Sequence, residues 1–330
     1  MKQVYKDKDC DLSHIADTKI SVIGYGIQGR AQALNLRDSG AEVTIGNIQD
    51  DYRKVAEEEG FATMDIDEAS SYSDIVMLLI PDESHKDIFN DHILSNLAPD
   101  NLLVIAHGYS VRYNKVHFPE QIDVSMLAPR FPGKPIRDQF LKGSGVPAFI
   151  DVIQDTSGNA LQKTLGIGCK IGYGRVGMLP VSYVEETELD LFIEHFIGPL
   201  FIGTIERALK FLMDKGYSDI PAAMELYLSG ERGTVWSAYA RDGLFNALDK
   251  NASPTCKYGI SSYYNETLND ELIVQMEKVL QAIQDGSFAE KLKNEENQDY
   301  PTVNRFFAEK KASILSQTEE KVDELLNNYL

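Results

Sequence analysis

The sequence is poor in cysteine, and Cys10, Cys169 and Cys256 are its three cysteines in 330 residues. Their number is odd and they lie far apart, so we expect a reducing compartment and no disulfide framework. No two of them have the short spacing of a zinc site. The interpretation that this favours is three inert thiols.

Basic residues are also scarce, because 32 Lys and Arg stand against 51 Asp and Glu, which gives a net charge of −19. Such a charge disfavours binding to the phosphate backbone of a nucleic acid or to an anionic membrane surface. No apolar run is long enough to span a bilayer, and no signal-peptide pattern is found. These absences predict a cytoplasmic protein, and the length is sufficient for two domains with large cores.

A glycine-rich turn is the strongest motif of the first half. The β-type run Lys19–Ile23 leads into the motif, and helix-like sequence and a second strand follow it. The motif itself reads Gly24-Tyr25-Gly26-Ile27-Gln28-Gly29. In a dinucleotide-binding fold Gly24 allows the tight turn, Gly26 lets a pyrophosphate approach the backbone, and Gly29 lets helix and strand pack closely. The motif predicts nucleotide binding at the helix N-terminus, and the alternative is an unoccupied glycine turn.

The loop after the second strand indicates which nicotinamide cofactor binds. A 2′-phosphate favours Arg or Lys at this place, whereas a free 2′-hydroxyl favours a carboxylate that accepts its hydrogen bond. Asn47, Asp50 and Asp51 occupy the loop, so NADH is favoured over NADPH. Arg53 and Lys54 follow closely and leave NADPH open. A simple helix start is the alternative role of the two acids.

Continuous apolar runs through the first half are typical of strands buried on both faces of a parallel sheet. They are 74–80, 102–106, 124–127 and 148–153. Ligands bind beyond the carboxyl ends of such strands, where Pro81-Asp82, His107 and Arg130 stand. His107 is a candidate cofactor or substrate contact, and a structural histidine is an equally weighted alternative. Residues 1–181 are predicted to form an α/β Rossmann domain.

Helical patterns dominate from residue 182 onward, so residues 182–330 are predicted to form an all-α domain. The stretch Glu194–Lys215 is largely apolar on all sides. A helix with that character is buried, either in the domain core or against another subunit.

Two carboxylates stand near the start of this helical part. Asp190 and Glu194 are four residues apart, so they stack on one helix face. That face borders an apolar stripe, which consists of Leu189, Phe192, Ile193, Phe196 and Ile197. Two like charges beside a buried stripe repel each other, and a divalent cation that prefers oxygen ligands, such as Mg²⁺, removes that cost. The alternative is a solvated acidic helix start, which Glu185, Glu186 and Glu188 are expected to form.

These segments together resemble ketol-acid reductoisomerase, the acetohydroxy acid isomeroreductase of branched-chain amino-acid synthesis. The similar segments are 5–13, 23–29, 79–83, 106–108, 145–147, 154–158, 186–192 and 284–289. The resemblance implies an N-terminal Rossmann domain and a helical, knotted C-terminal domain that forms a homodimer or a larger homo-oligomer. It also implies NADH or NADPH and Mg²⁺ as cofactors. The implied reaction is an alkyl migration in a hydroxyketoacid such as 2-acetolactate, followed by hydride transfer from the nicotinamide.

The same resemblance implies roles for individual residues. Asp190 matches the carboxylate that bridges two Mg²⁺ ions, Glu194 a further ligand of the first ion, and Glu225 a ligand of the second. Ser253 matches the serine that holds the substrate carboxylate, and His107 matches the histidine beside the nicotinamide. Cofactor contacts are implied for Gly24, Tyr25, Gly26, Ile27, Gln28, Gly29, Asn47, Asp50, Asp51, Pro81, His107 and Gly133.

The chain departs from the family at two positions that concern the alkyl migration. Arg130 stands where the family has a lysine, and an arginine stays charged where a lysine can exchange protons. Ser229 stands where the family has a glutamate four residues after Glu225. Either Glu231 substitutes through a local shift, or the second metal site is weakened. The residues expected to act in catalysis are His107, Arg130, Asp190 and Glu194.

Three hypotheses of function compete. The first is a divergent ketol-acid reductoisomerase, and the second is an NAD(P)H-dependent 2-ketoacid reductase that has lost or changed the isomerisation. The third is a non-catalytic nucleotide-binding protein, which predicts loss of the metal residues. Asp190, Glu194 and Glu225 are present, so the third hypothesis is the least favoured.

Overall fold

The structure is a computed structural model that describes residues 3–113, 116–267 and 270–325. The chain divides into two compact units, Met1–Leu189 and Asp190–Leu330. The sequence suggested a division after residue 181, where the composition turns helical. The helix that begins at Tyr183 places Glu186 and Thr187 in the interior of the first unit, so the compact unit extends past the change in composition.

The first unit is built on one sheet. Its strands are β1 Lys19–Ile23, β2 Glu42–Gly46, β3 Ala62–Met64, β4 Ile75–Leu78, β5 Leu102–Ile105, β6 Asp123–Pro129, β7 Ala148–Gln154 and β8 Met178–Pro180. Their order across the sheet is β3-β2-β1-β4-β5-β6-β7-β8. Strands β1 to β6 run parallel, β7 is antiparallel to β6, and β8 is parallel to β7. The first six follow the order of the Rossmann fold, which confirms the fold predicted for this part of the chain.

Helices cover both faces of this sheet. They are α1 Ile27–Asp38, α2 Asp51–Glu58, α3 Ile66–Tyr72, α4 His85–Ile88, α5 Tyr109–Arg112, α6 Gly133–Leu141 and α7 Ala160–Ile171. Val22 and Ile23 are neighbours in β1, yet they belong to two different apolar clusters, because successive side chains of a strand point to opposite faces. Burial of each aliphatic side chain in such a cluster contributes about 1.5–3 kcal/mol. The central parallel strands β1, β4, β5 and β6 are therefore buried on both sides, and their carboxyl ends are left to form the site.

The prediction that the cysteines form no disulfide was wrong. Cys10 and Cys169 are joined by a disulfide, with their Cα atoms 6.6 Å apart, and Cys256 is an exposed free cysteine. The sequence suggested separate thiols because Cys10 and Cys169 are 159 residues apart. The fold brings the segment before β1 against α7, so sequence distance was a poor guide. The cysteines consequently give no support to a reducing compartment.

The second half of the chain is helical, as predicted. Its helices are α8 Tyr183–Phe192, α9 Gly198–Asp214, α10 Asp219–Ala223, α11 Glu231–Asp242, α12 Leu244–Asn251, α13 Pro254–Thr267, α14 Asp270–Gln284, α15 Ser287–Glu296, α16 Pro301–Lys311 and α17 Ile314–Leu325. Two wider π-helical turns, Ile193–Ile197 and Met224–Leu228, interrupt this pattern. Such turns insert one extra residue into a helix and are frequent at functional sites.

The π-turn at Ile193–Ile197 changes which side chains are buried. Leu189, Ile193 and Ile197 were predicted to belong to one buried stripe, but they are 48%, 54% and 37% exposed in the single chain. Phe196 is buried as predicted and Phe192 is partly buried, whereas Leu191, which was outside the stripe, is buried as well. The stripe prediction was wrong at those three positions. At Ile193 and Ile197 the extra residue of the π-turn breaks the 3.6-residue period on which the prediction rested, whereas Leu189 is exposed within the regular part of α8.

Helix α9 is mostly uncovered within the single chain. Leu209 is its one fully buried residue, whereas Phe201, Ile202 and Phe211 are 46%, 60% and 59% exposed. Of the two alternatives for this stretch, burial in the core of its own chain was therefore wrong for most of the helix. Burial against another subunit stays a prediction, and so does the knot that the resemblance implies. Among residues 3–113, 116–267 and 270–325, no helix has both the length and the apolar character that a bilayer crossing requires.

Candidate active site

The glycine turn between β1 and α1 has the geometry that a dinucleotide requires. Gly24 has φ +94°, and a Cβ atom on it would lie 2.8 Å from the carbonyl oxygen of Leu79. A Cβ atom on Gly29 would overlap the carbonyl oxygen of Gly24, so this glycine allows the close packing of α1 on β1. A Cβ atom on Gly26 would meet nothing within 4 Å, which leaves open space beside the N-terminus of α1. The three glycines thus fit the turn, packing and phosphate-approach roles of the fingerprint.

The other residues of the motif support the turn in different ways. Tyr25 is buried, its amide donates to Asn47 Oδ1 at 3.1 Å, and its hydroxyl donates to Glu59 at 2.7 Å. Ile27 is exposed, and the side-chain amide of Gln28 donates to the carbonyl oxygen of Phe131 at 3.1 Å. The Tyr25 side chain and its amide are therefore both engaged within the first unit, where they fix the turn, and a direct contact of Tyr25 with a cofactor stays a prediction.

Gly133 lies directly against the glycine turn. A Cβ atom added to Gly133 would collide with the carbonyl oxygen of Ile27. Glycine at the first position of α6 consequently lets this helix approach the turn closely. Its predicted cofactor role has this steric basis, since any other residue would push α6 away from the turn.

Asn47 and Asp50 organise the loop between β2 and α2. Asn47 Nδ2 donates to Asp50 Oδ1 at 2.8 Å, and the same oxygen accepts the backbone N–H of Arg53 at 3.0 Å. Asp50 is thus the N-cap of α2, and the neighbouring Asp51 is its first residue, with a side chain that is 94% exposed. The alternative of a helix start holds for both acids, and both still place negative charge at the end of β2.

His107 follows β5 and is oriented by a carboxylate that follows β4. Its Nδ1 lies 2.7 Å from Asp82 Oδ2, and Asp82 Oδ1 lies 3.8 Å from Nδ1 of the buried His85. Burial lowers the pKa of His85, which keeps its ring neutral near pH 7. The sequence placed both Asp82 and His107 at strand ends, but it did not predict that they form a pair, although the neighbouring ends of parallel strands β4 and β5 could have indicated it.

Glu186 is the main functional candidate that the sequence missed. It was expected to be solvated, but its side chain is fully buried. Its Oε1 accepts a hydrogen bond from Arg130 Nη2 at 2.8 Å, and its Oε2 accepts the N–H of Gly108 at 3.1 Å. The same Oε2 lies 3.8 Å from His107 Nε2. The expectation failed because local helix-start chemistry favours acids on the surface, whereas a cation and an amide from distant strands make burial possible here.

Arg130 and Glu188 are also held by specific partners. The guanidinium of Arg130 lies 4.7 Å from the ring centroid of Phe149 in the neighbouring strand β7. Glu188 accepts a hydrogen bond from Arg112 at 3.0 Å and is 20% exposed, so the expectation that it is solvated was also wrong. Glu185 is exposed, and its backbone N–H donates to Ser182 Oγ at 3.2 Å, which is the capping hydrogen bond expected at a helix start. Arg130 thus presents a positive charge of fixed position at the end of β6.

The predicted metal ligands lie on the irregular parts of the helical half. Asp190 is half-buried near the end of α8, and Glu194 lies in the π-turn that follows it. Glu225 lies in the other π-turn, and Glu231 begins α11 after Gly230, which has φ +73°. The helix therefore breaks between Glu225 and Glu231, so the two are not on one regular helix face. Across the part of the chain that the structure describes, no three His, Cys, Asp or Glu side chains gather as a metal-binding group.

A cavity of about 510 Å³ in the second unit brings together two of the predicted site residues. Glu231 and Ser253 both line it, together with the basic residues Arg232 and Arg241. Ser253 Oγ accepts the backbone N–H of Cys256 at 3.2 Å and so caps α13. Arg241 is ion-paired with Asp242 at 2.7 Å, and Glu231 adds a negative charge. Arg232 is therefore the lining residue that best suits a small carboxylate ligand, the kind of group that Ser253 is predicted to hold.

Comparison with known proteins shows the same two halves. Residues 14–177 match the family described as the NADPH-binding domain of acetohydroxy acid isomeroreductase, and residues 183–328 match the C-terminal domain of ketol-acid reductoisomerase. A ketol-acid reductoisomerase (NADP⁺) of Caldivirga maquilingensis is 34% identical over 330 residues, with 99% of each chain covered. One of Sulfurisphaera tokodaii is 36% identical over 328 residues, with 98% of each chain covered.

A solved structure agrees with the comparison of sequences. The NADH-preferring ketol-acid reductoisomerase from an uncultured archaean superimposes with a TM-score of 0.93 at 27% identity, and 98% of this chain and 99% of that chain are covered. Both halves and their order agree with these family descriptions. The chain therefore belongs to the ketol-acid reductoisomerase family over nearly its whole length.

Proposed function

We propose that this chain converts a hydroxyketoacid such as 2-acetolactate by alkyl migration followed by reduction with a nicotinamide cofactor. The observation that carries the proposal is its full-length correspondence to ketol-acid reductoisomerases, with 99% of the chain covered at 34% identity. The glycine turn supports the reductive half, because its three glycines leave room for a dinucleotide at the N-terminus of α1.

Asp190 and Glu194 are the proposed magnesium ligands. Mg²⁺ keeps several waters and commonly uses only one or two carboxylates, so two acids on successive turns suit it in number and chemistry. Glu225 and Glu231 are the proposed ligands of a second ion. When bound, Mg²⁺ supplies Lewis-acid polarisation of the substrate oxygens. Ser253, among Arg232 and Arg241, would hold the substrate carboxylate.

The side chains of Asp82, His107, Arg130 and Glu186 form what we call the strand-end cluster of the first unit. Its proposed role is to orient the groups that meet substrate and cofactor. Asp82 fixes the ring of His107 through Nδ1, which sets the direction of Nε2. Glu186 holds both the Gly108 amide and Arg130, so it fixes the residue directly after this histidine and the arginine at the end of β6. Arg130 supplies a permanent positive charge that can attract an anionic substrate oxygen, but it cannot exchange a proton near neutral pH.

One observation favours a second candidate function. The family has a lysine where this chain has Arg130, and here Glu186 and Phe149 hold the arginine in place. A 2-ketoacid reductase without the isomerisation has no need of proton exchange at this position. Arg130 is therefore compatible with loss of the alkyl migration and retention of hydride transfer.

Two substrates distinguish the candidates. The purified chain is incubated with Mg²⁺ and NADH or NADPH, first with 2-acetolactate and separately with a 3-hydroxy-2-ketoacid that needs no rearrangement. We expect cofactor oxidation with both. Turnover of the second substrate alone would establish the reductase, and turnover of neither would refute both candidates.

NADH is the proposed preferred cofactor. The two basic residues after the loop are both ion-paired, Arg53 to Asp65 at 2.6 Å and Lys54 to Asp51 at 2.8 Å. Asp50 and Asp51 place negative charge where the 2′-phosphate of NADPH would bring about two further negative charges, so the two would repel each other. The structural neighbour from an uncultured archaean is described as NADH-preferring, which is consistent with this preference. Dissociation constants for NADH and NADPH measured by nicotinamide fluorescence test it.

A homodimer or larger homo-oligomer is the proposed assembly, and its support is the exposed apolar surface of the second unit. Phe201, Ile202, Phe211, Phe245 and Phe307 are all more than one-third exposed in the single chain. Exposed apolar area of this kind marks an interaction surface. Sedimentation equilibrium tests the assembly, and a monomer at micromolar concentration would contradict it. The net charge of −19 favours small-molecule ligands over nucleic acid. A cytoplasmic location is proposed from the family's biosynthetic role, and cell fractionation tests it.

A further inference from the structure

Arg53 is a basic residue close to the end of β2, where a dinucleotide fold recognises the adenosine ribose. It belongs to the first turn of α2, and its side chain is only 13% exposed. Nη1 donates to the carbonyl oxygen of Asn47, the residue directly after β2, at 3.0 Å. An arginine at this place is what accommodates a 2′-phosphate in NADP-binding members of the fold. Sequence position alone would therefore assign Arg53 to NADPH.

Asp65 changes that assignment. It follows β3, which pairs in parallel with β2 so that Gly46 lies opposite Met64. The two strands end together, and this brings Asp65 to the guanidinium of Arg53, with Oδ1 2.6 Å from Nη1. The same Nη1 therefore serves both Asp65 and the Asn47 carbonyl, which fixes the direction of the guanidinium plane.

Further acids surround the same guanidinium. Glu57 Oε1 lies 3.5 Å from Arg53 Nε, one helical turn along α2. Asp50 caps the same helix and accepts the backbone N–H of Arg53. The charge of Arg53 is therefore more than balanced by its neighbours, and an added phosphate dianion would meet a net negative environment.

We propose that Asp65 is a positioning residue that sets the cofactor preference by holding Arg53 in an ion pair, so that the guanidinium is not presented to a 2′-phosphate. This inference rests on the proposed NADH-dependent function and names a determinant outside the loop that meets the ribose. Asp65 acts through Arg53 and touches neither substrate nor the reacting atoms.

Asp65→Asn is a mild test of the proposal. The Asp65 side chain is 71% exposed and makes no capping hydrogen bond to α3, and asparagine is as good an N-cap residue as aspartate. The variant is thus expected to fold normally. The substitution removes the carboxylate that pairs with Arg53, so the guanidinium can bond the 2′-phosphate of NADPH. One charge-assisted hydrogen bond between a guanidinium and a phosphate corresponds to about tenfold in affinity.

The experiment measures dissociation constants of NADH and NADPH by nicotinamide fluorescence, without substrate or metal. We expect Asp65→Asn to tighten NADPH about tenfold relative to NADH. The matched control is Asp67→Asn, which removes the same charge two residues later from a pair with His92, and its cofactor ratio should equal that of the parent chain. A structural role for Asp65 would weaken both cofactors together and leave their ratio unchanged.

The same substitution made in a variant that lacks Arg53 distinguishes loss of the ion pair from simple removal of a negative charge. In Arg53→Gln, the further change Asp65→Asn should leave the NADPH to NADH ratio unaltered, because the side chain through which Asp65 acts is gone. The same gain in both backgrounds would overturn the proposal, as would an unchanged ratio in Asp65→Asn alone. Failure of the parent chain to bind either cofactor would instead refute the proposed function itself, and with it this inference.

Discussion

Replacing Glu186 with glutamine tests whether a buried carboxylate holds the strand-end cluster together. Glu186 is fully buried and accepts one hydrogen bond from Arg130 and one from the Gly108 amide, each with a different oxygen. Glutamine has nearly the same shape, but only one of its two terminal atoms can accept. One of the two donors would therefore face an amide nitrogen, and Arg130 would lose its carboxylate partner.

The expected loss is large for so small a change. A hydrogen bond to a charged group is worth about 1.5–3 kcal/mol, and removing one member of a buried ion pair costs about 3–5 kcal/mol. Arg130 is 24% exposed, so water replaces part of the lost interaction. We expect Glu186→Gln to lower the free energy of unfolding by about 2–3 kcal/mol. Catalytic turnover should fall as well, because His107 and Arg130 lose their common anchor.

Urea unfolding followed by circular dichroism measures the effect. With an m value of about 2–3 kcal/mol per molar urea, the midpoint should fall by about 1 M. Hydrogen exchange of peptides from β5 and β6 assigns the loss to the first unit. Glu185→Gln is the matched control, because this neighbour is exposed and should change stability by less than about 0.5 kcal/mol. Equal midpoints for the two variants would refute the role given to Glu186.

Three other outcomes are expected from the structure. Asp190→Asn should abolish Mg²⁺ binding in calorimetry with little change in the unfolding midpoint, and wild-type Mg²⁺ affinity would contradict the ligand assignment. Asp50→Ser combined with Asp51→Ser should weaken NADH more than NADPH in fluorescence titrations, and an unchanged ratio would count against both acids. Burial acts to raise the pKa of Asp123, but hydrogen bonds from Ser157 and the ion pair with Lys163 outweigh it and hold the pKa below the usual 3.8. A lowered pKa stabilises the folded chain above the usual value, so the stability advantage over Asp123→Asn should be constant above about pH 4 and shrink as pH falls further.

The elements that were predictable from sequence depend on local sterics. Gly24, Gly26 and Gly29 have their roles because a side chain at two of them would strike nearby backbone, and that requirement is visible in the spacing of the motif. The parallel strands were predictable because both of their faces are apolar. His107 was identifiable since it ends one of these strands.

Residues whose environment comes from distant parts of the chain were not predictable. Glu186 is buried by Gly108 and Arg130, which are 78 and 56 residues away, and nothing near it in the sequence indicates either partner. The pairing of Cys10 with Cys169 depends equally on tertiary structure. Asp65 meets Arg53 only because β2 and β3 end side by side.

The π-turn at Ile193–Ile197 also has a consequence for the direction in which helix α9 presents its side chains. Each residue of an α-helix advances the chain by about 100° around its axis, so one surplus residue resets the angular position of everything after it. Deleting a single residue from this turn, for example Ile193, would swing the aromatic surface of α9 by roughly that angle with respect to Asp190. The surplus residue thus sets a fixed angle between Asp190, the proposed metal ligand, and the exposed aromatic side chains of α9. Removing one residue would change that angle although every other side chain kept its identity.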